Sequence, residues 1–183
     1  MQIIEKALNG LKLLKPNIFE DNRGYFFESY NLDTFEKLGI TDNFIQDNQS
    51  LSTKKGVVRG LHFQNAPFEQ SKLVRATQGK VLDVVVDIRV GSPTYGKSYS
   101  AELSAENKLM LYVPQGFAHG FAVLEPNTLF TYKCSNIYNN ESEGGIAWDD
   151  PNLEIDWKTE NPILSEKDKT NINLRDFNSK FIY

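Results

Sequence analysis

Three observations predict an all-β, antiparallel barrel or sandwich for this 183-residue chain. Short apolar segments recur about every 8–12 residues with turn residues between them. Residues 80–90 alternate, with Leu82, Val84, Val86, Ile88 and Val90 on one face and Asp83, Val85, Asp87 and Arg89 on the other, so one face reads as core and the other as partly polar. Helical periodicity is confined to the margins.

Taken in order, residues 31–39 carry Leu32, Phe35 and Leu38 at helical spacing, with Asn31 as cap and Gly39 as terminator, which predicts one short helix. The segment 57–64 reads as a strand interrupted by Gly60. A strand over 71–77 is expected to join the 80–90 strand through a hairpin at Gln78-Gly79-Lys80. Further strands are expected over 98–103, 108–113, 117–124 and 128–135, then a helical turn near 165–170 and a polar, poorly periodic tail over 171–183. The whole chain, 1–183, reads as one domain, being long enough for one core and short for two.

Composition narrows the function. A net charge of −4, with 20 basic and 24 acidic residues dispersed along the chain, offers no basic stripe for a nucleic-acid backbone. The single cysteine, Cys134, excludes an internal disulfide and a multi-cysteine metal site, as in a reducing compartment. No stretch approaches the ~20 apolar residues of a membrane span, and the amino-terminal residues lack a basic-then-apolar signal. A soluble cytoplasmic protein is expected. The Asn48-Gln49-Ser50 and Asn140-Glu141-Ser142 triplets then match glycosylation acceptors by chance.

The chain has two histidines, His62 and His119, the residue type best matched to proton transfer near neutral pH. Each also fits a hydrogen-bonded core imidazole. Strict alternation would send Arg59 and His62 to opposite faces; a bulge at Gly60 would reset the parity and turn both into one cavity, although a glycine that merely allows close packing explains the residue as well. Lys72, on the parity of Val74 and Ala76, reads most simply as an exposed edge lysine. Tyr132 shares a face with Phe130 and Cys134, as an amphipathic core tyrosine or as a proton donor across a cavity. Asp168, three residues after Ser165, fits a helix capping box.

Around His119, the Pro-x-Gly-x-x-His spacing of Pro114, Gly116 and His119 resembles the second motif of the cupin superfamily, whose members are jelly-roll barrels that often hold a metal. The chain has no His-x-His and no third histidine, so a metal site is not expected and His119 reads as a hydrogen-bonding residue.

Together, Arg59-Gly60-Leu61-His62-Phe63-Gln64 and Gly116-Phe117-Ala118-His119-Gly120-Phe121, with matching stretches at 21–30, 44–50, 72–75, 84–89, 92–96, 138–143 and 148–151, resemble the dTDP-4-dehydrorhamnose 3,5-epimerase family. The resemblance implies a cupin-type jelly-roll barrel with a few short peripheral helices. It implies an isomerase acting on a dTDP-linked 4-keto-6-deoxyhexose in dTDP-rhamnose biosynthesis, with no redox or metal cofactor. By the same resemblance His62 is the base, Asp168 its orienting carboxylate, Tyr132 the acid on the opposite face, and Lys72 the cation at the carbonyl oxygen. Arg59 and His119 would line the sugar site; Arg23, Glu28, Gln46, Asp47, Asn48, Glu143 and Lys167 fall at substrate-binding positions, and Tyr138 matches an aromatic that stacks on thymine. It also implies a homodimer, with residues 1–40 contributing to the interface and Arg23 and Glu28 serving the neighbouring subunit. A 3-epimerase on a related sugar would share this machinery. A catalytically silent sugar-binding jelly roll would be expected to lack one of His62, Lys72, Tyr132 or Asp168, and all four are present.

Overall fold

A computed structural model describes residues 1–183. The strands are β1 (Gln2–Ala7), β2 (Leu11–Lys15), β3 (Phe19–Asp21), β4 (Gly24–Phe26), β5 (Gln46–Ser52), β6 (Val58–Gln64), β7 (Lys72–Gln78), β8 (Lys80–Asp87), β9 (Ser98–Ser104), β10 (Met110–Val113), β11 (Phe117–Val123), β12 (Thr128–Cys134) and β13 (Glu143–Gly145), with one α-helix, α1 (Leu32–Lys37). A six-stranded sheet in the order β1-β2-β10-β7-β12-β5 faces a five-stranded sheet in the order β13-β6-β11-β8-β9, and β3 and β4 form a separate hairpin. All strand pairings within the sheets are antiparallel. This is the layered arrangement of a cupin-like jelly roll.

Three apolar clusters hold the layers. The first lies between the sheets, where Val74, Ala76 and Phe130 from one meet Val81, Val85, Phe121 and Val123 from the other. The second covers the outer face of the five-stranded sheet: Leu82, Val84, Val86, Ala118 and Ala122 pack under Ile146, Leu153, Trp157 and Leu174. The third seats α1 on the outer face of the six-stranded sheet, with Phe35 and Ile40 against Leu14, Leu73, Met110 and Tyr112.

These clusters correct several expectations. β8 is buried on both faces, because the segment read as a polar tail, 171–183, lies against it: Leu174 is buried, Phe177 and Phe181 pack on Phe63, and Ile182 bridges to Val90. The expected partly polar face therefore points into the interior, with Asp83 and Asp87 fully buried. The strand stops at Asp87, whose carboxylate accepts from the Arg89 N–H and the Ser92 and Thr94 hydroxyls and so organises a turn, and Val90 is left exposed. The expected hairpin between the 71–77 and 80–90 strands does not form. β7 and β8 belong to opposite sheets, and Gly79, at φ +70°, turns the chain across the edge of the sandwich.

The helix is present with its caps. The Asn31 side chain accepts from the Thr34 N–H at 3.1 Å, Gly39 has φ +69°, and Lys12 donates to the Leu38 carbonyl. Of its three spaced apolar residues Phe35 is the buried one, whereas Leu32 is exposed.

Candidate active site

Both readings of Gly60 hold: the register of β6 against β11 shifts there, and the glycine allows close packing. His62 pairs with His119 and Arg59 with Phe121, so that Gly60 and Leu61 on β6 stand against the single Gly120 on β11. Gly60 takes φ +113°, and a Cβ there would lie 2.6 Å from Gly120 Cα and 2.7 Å from the His119 carbonyl, so the two strands approach closely only because both positions are glycine. The extra residue resets the alternation: Arg59, His62 and His119 all line one cavity of about 510 Å³.

The same cavity collects Lys72 of β7, Phe130 and Tyr132 of β12, Ser50 of β5, and Ser165, Lys167 and Asp168 from the carboxy-terminal segment. His62 and His119 stand on the five-stranded sheet, Lys72 and Tyr132 on the six-stranded one. The imidazole and the phenol therefore approach the cavity from opposite walls.

Each histidine is paired with a carboxylate. His62 Nε2 lies 2.5 Å from Asp168 Oδ1, and His119 Nε2 lies 2.9 and 3.1 Å from the two oxygens of Asp83. A carboxylate only accepts, so Nε2 carries the proton of the His62 contact, and in the neutral ring the lone pair then lies on the other nitrogen. The His62 side chain is 29% exposed against 4% for Asp168, which makes His62 the member open to a ligand. Burial works to raise the Asp168 carboxyl, but His62, the Ser165 hydroxyl and the Gly60 N–H outweigh it and hold the group below its ordinary value. Asp83 is pushed the other way: burial raises it, with His119 and Lys72 opposing. Only half of the capping-box reading is present: the Asp168 N–H donates to Ser165 Oγ at 3.1 Å, but the Asp168 carboxylate is taken by His62 and the Ser165 hydroxyl, and the 3-10 turn at Asp168–Thr170 has no side-chain cap.

Lys72 is not an edge lysine. β7 runs between β10 and β12, and burial pushes its ammonium below the ordinary lysine value while Cys134, Asp83 and Glu143 pull it back up. Tyr132 is shifted upward by burial and by Cys134, with Arg59 opposing, so its proton stays on at neutral pH.

At the cavity rim the Tyr138 hydroxyl donates to Glu143 Oε2 at 2.7 Å, Lys167 pairs with the same oxygen, and the Tyr138 N–H donates to Gln46 Oε1 at 2.9 Å. Gln46 and Asn48 share the inward parity of β5, opposite Cys134 and Tyr132. Asp47 does not: it faces outward, where it pairs with Lys133 at 2.9 Å, because consecutive strand residues point to opposite faces. Arg23 and Glu28 also lie outside the cavity of this chain. Arg23 projects from the β3–β4 turn with its side chain 85% exposed beside Asp21, and Glu28 accepts from Asn31 and Thr34 at the start of α1.

Three cavity features escape the sequence reading: Asp83 behind His119, the Ser165 hydroxyl on Asp168, and Ser50, whose Oγ is buried without a partner. The two aspartates inside a valine run were the available signal for the first. No group of three or more His, Cys, Asp or Glu side chains is placed to hold a metal ion.

Comparison with known proteins places these features. A family model described as dTDP-4-dehydrorhamnose 3,5-epimerase matches residues 5–176. The dTDP-4-dehydrorhamnose 3,5-epimerase of Shigella flexneri is 48% identical over 169 residues, covering 92% of this chain and 93% of its own. The crystal structure of dTDP-6-deoxy-D-glucose-3,5-epimerase from Legionella pneumophila Philadelphia 1, in complex with dTDP-4-keto-L-rhamnose, is similar at a TM-score of 0.95 and 46% identity, covering 100% of this chain and 98% of that one. A more distant relative, the dTDP-4-dehydrorhamnose 3-epimerase of Streptomyces niveus, is 38% identical over 170 residues, covering 92% of this chain and 82% of its own. With the family model matched over nearly its whole length, and with a paired histidine and a protonated tyrosine on opposite walls of its cavity, this chain belongs to the dTDP-4-dehydrorhamnose 3,5-epimerase family.

Proposed function

We infer that this protein is an isomerase that inverts carbons 3 and 5 of dTDP-4-dehydro-6-deoxyglucose to give dTDP-4-dehydrorhamnose, in dTDP-rhamnose biosynthesis. Both carbons flank the carbonyl at carbon 4. Removing a proton from either leaves an enolate, and returning one from the opposite side inverts the centre. Such a reaction asks for a base on one face, an acid on the other and positive charge at the developing oxyanion.

The observation that carries this reading is the division of the cavity: a histidine on one sheet paired with an aspartate of the carboxy-terminal segment, a neutral phenol on the other sheet, and an ammonium on the phenol's side. In this reading His62 takes the proton through its free ring nitrogen and Asp168 stabilises the imidazolium that forms. Tyr132 delivers a proton from the facing wall, and Lys72 holds charge at the carbon 4 oxygen, where a compact ammonium suits a single oxygen atom. Arg59 and His119 line the sugar site, with Lys167, Glu143, Gln46 and Asn48 at the rim and Tyr138 against the base. His62→Ala tests the core of the assignment. Deuterium exchange at both carbons should fall by at least ~10²–10⁴-fold, the usual worth of a positioned base; exchange retained at either carbon would sink the single shared base.

We also propose that the working form is a homodimer in which the 1–40 region, with Arg23 and Glu28, serves the neighbouring cavity. The β3–β4 hairpin supports this, because it exposes Phe19, Tyr25 and Phe26 at 65%, 56% and 69% while contributing nothing to its own cavity. Light scattering should return the mass of two chains. A monomer that retains full activity would overturn the arrangement.

A further inference from the structure

The Asp168 carboxylate is held at both ends. Oδ1 meets His62 Nε2 at 2.5 Å, while Oδ2 accepts from Ser165 Oγ at 2.9 Å. The Ser165 oxygen in turn accepts the Asp168 N–H at 3.1 Å, so the hydroxyl proton is committed to the carboxylate and the hydroxyl cannot rotate away. The Gly60 N–H also acts on this carboxylate. A carboxylate on a single Cα–Cβ arm swings about its terminal bond, whose preference is broad. Fixing Oδ2 fixes where the lone pairs of Oδ1 point.

We propose that Ser165 is a positioning residue for the proton-abstracting pair: its hydroxyl orients Asp168, and through Asp168 the ring of His62, without touching the substrate's reacting atoms. The inference rests on His62 being the base. A helix cap alone does not account for the contact. A cap needs only the serine oxygen as acceptor, and the turn that follows is three residues long. Donation to Oδ2 adds nothing to that turn; it acts on the carboxylate. The charged groups around the pair are Lys167, on the same segment and facing Glu143 of β13, and Arg59 on β6. Neither donates to Oδ2, where the Ser165 hydroxyl is the side-chain donor.

The test is a double-mutant cycle. Ser165→Ala should lower kcat by about tenfold or more, the worth of a hydrogen bond to a charged group, with KM changed less than about twofold. Ser165→Thr, which keeps the hydroxyl, should restore the rate, and Ser165→Cys, similar in size but a weak donor, should not. In an Asp168→Ala background Ser165→Ala should cost nothing further, because its target is gone. A purely structural role would give additive losses, a loss expressed in KM, or equal rates for the Thr and Cys variants, and any of these overturns the proposal. Ser165→Cys carries the argument if Ser165→Ala folds poorly. Exchange retained in His62→Ala would overturn the base assignment and this proposal with it, whereas additive losses with His62→Ala inactive would overturn the positioning role alone.

Discussion

Tyr132 presents a protonated phenol to the cavity because burial and Cys134 both disfavour its anion, while His62 on the other wall keeps one ring nitrogen free by giving the second to Asp168. In the proposed reaction the two residues take opposite halves of one proton transfer. Tyr132→Phe keeps the ring that fills the wall and removes only the proton source. Carbon–hydrogen exchange should survive while inversion falls by about 10²-fold or more, since the enolate still forms but recovers its proton from the His62 side. Exchange and product configuration followed in one sample will tell; equal losses of both would place Tyr132 in binding. His62 and His119 are legible in the sequence as the chain's two histidines, both in glycine-flanked segments, whereas Tyr132, one of eight tyrosines, reads as a core residue until the resemblance singles it out. Asp83 is not legible, because an aspartate that alternates with valines looks the same whether its face meets solvent or a buried imidazole.

The bulge in β6 decides which side chains enter the cavity. Gly60→Ala would strain a backbone at φ +113° and drive a methyl into Gly120 and the His119 carbonyl. The variant should lose about 1–3 kcal/mol of stability from backbone strain alone, with a larger fall in kcat than the loss of folded protein explains, because Arg59 and His62 lose their common parity. Denaturant melts run alongside turnover measure both; unchanged kcat would mean the bulge survives without glycine. The sequence marks Gly60 as special but leaves the choice between a bulge and close packing open, because both ask for a glycine inside a strand. β5 was not readable as a strand for a different reason. Gln46, Asn48 and Ser50 occupy its inward parity opposite Cys134, Tyr132 and Phe130, so its inner face is polar where it meets the cavity and the apolar alternation that marks a strand is missing. β7 and β8 misled in the other direction, since a glycine turn between two strands is the same signal whether the chain folds back in one sheet or crosses to the other.

Over the whole molecule, the five-stranded sheet is sealed from outside by the chain's last third. Leu174→Ala removes a buried anchor of that cover and should cost about 2–5 kcal/mol, read as a lower denaturation midpoint with an unchanged slope; a loss under about 0.5 kcal/mol, the ordinary cost of a surface change, would show that 171–183 packs only loosely. The sequence understates this region because Leu174, Phe177 and Phe181, although spaced i, i+3, i+7, are too few and too diluted by polar residues to mark an element, and only a 3-10 turn forms at Leu174–Asp176. The cover also sets a difference between the two catalytic walls. β8 and β11 have neighbours on both edges and packed residues on both faces, whereas β12 is separated from solvent on one edge only by β5, an edge strand whose outward residues are exposed. Amide protons of β8 and β11 should then exchange with solvent only on global unfolding, and those of β5 through local opening. His119 on β11 therefore stands on the fixed part of its wall, whereas His62 on β6 and Tyr132 on β12 each have a single strand between them and the open edge of their sheet, which leaves the two facing residues the shared freedom to shift around a bound sugar.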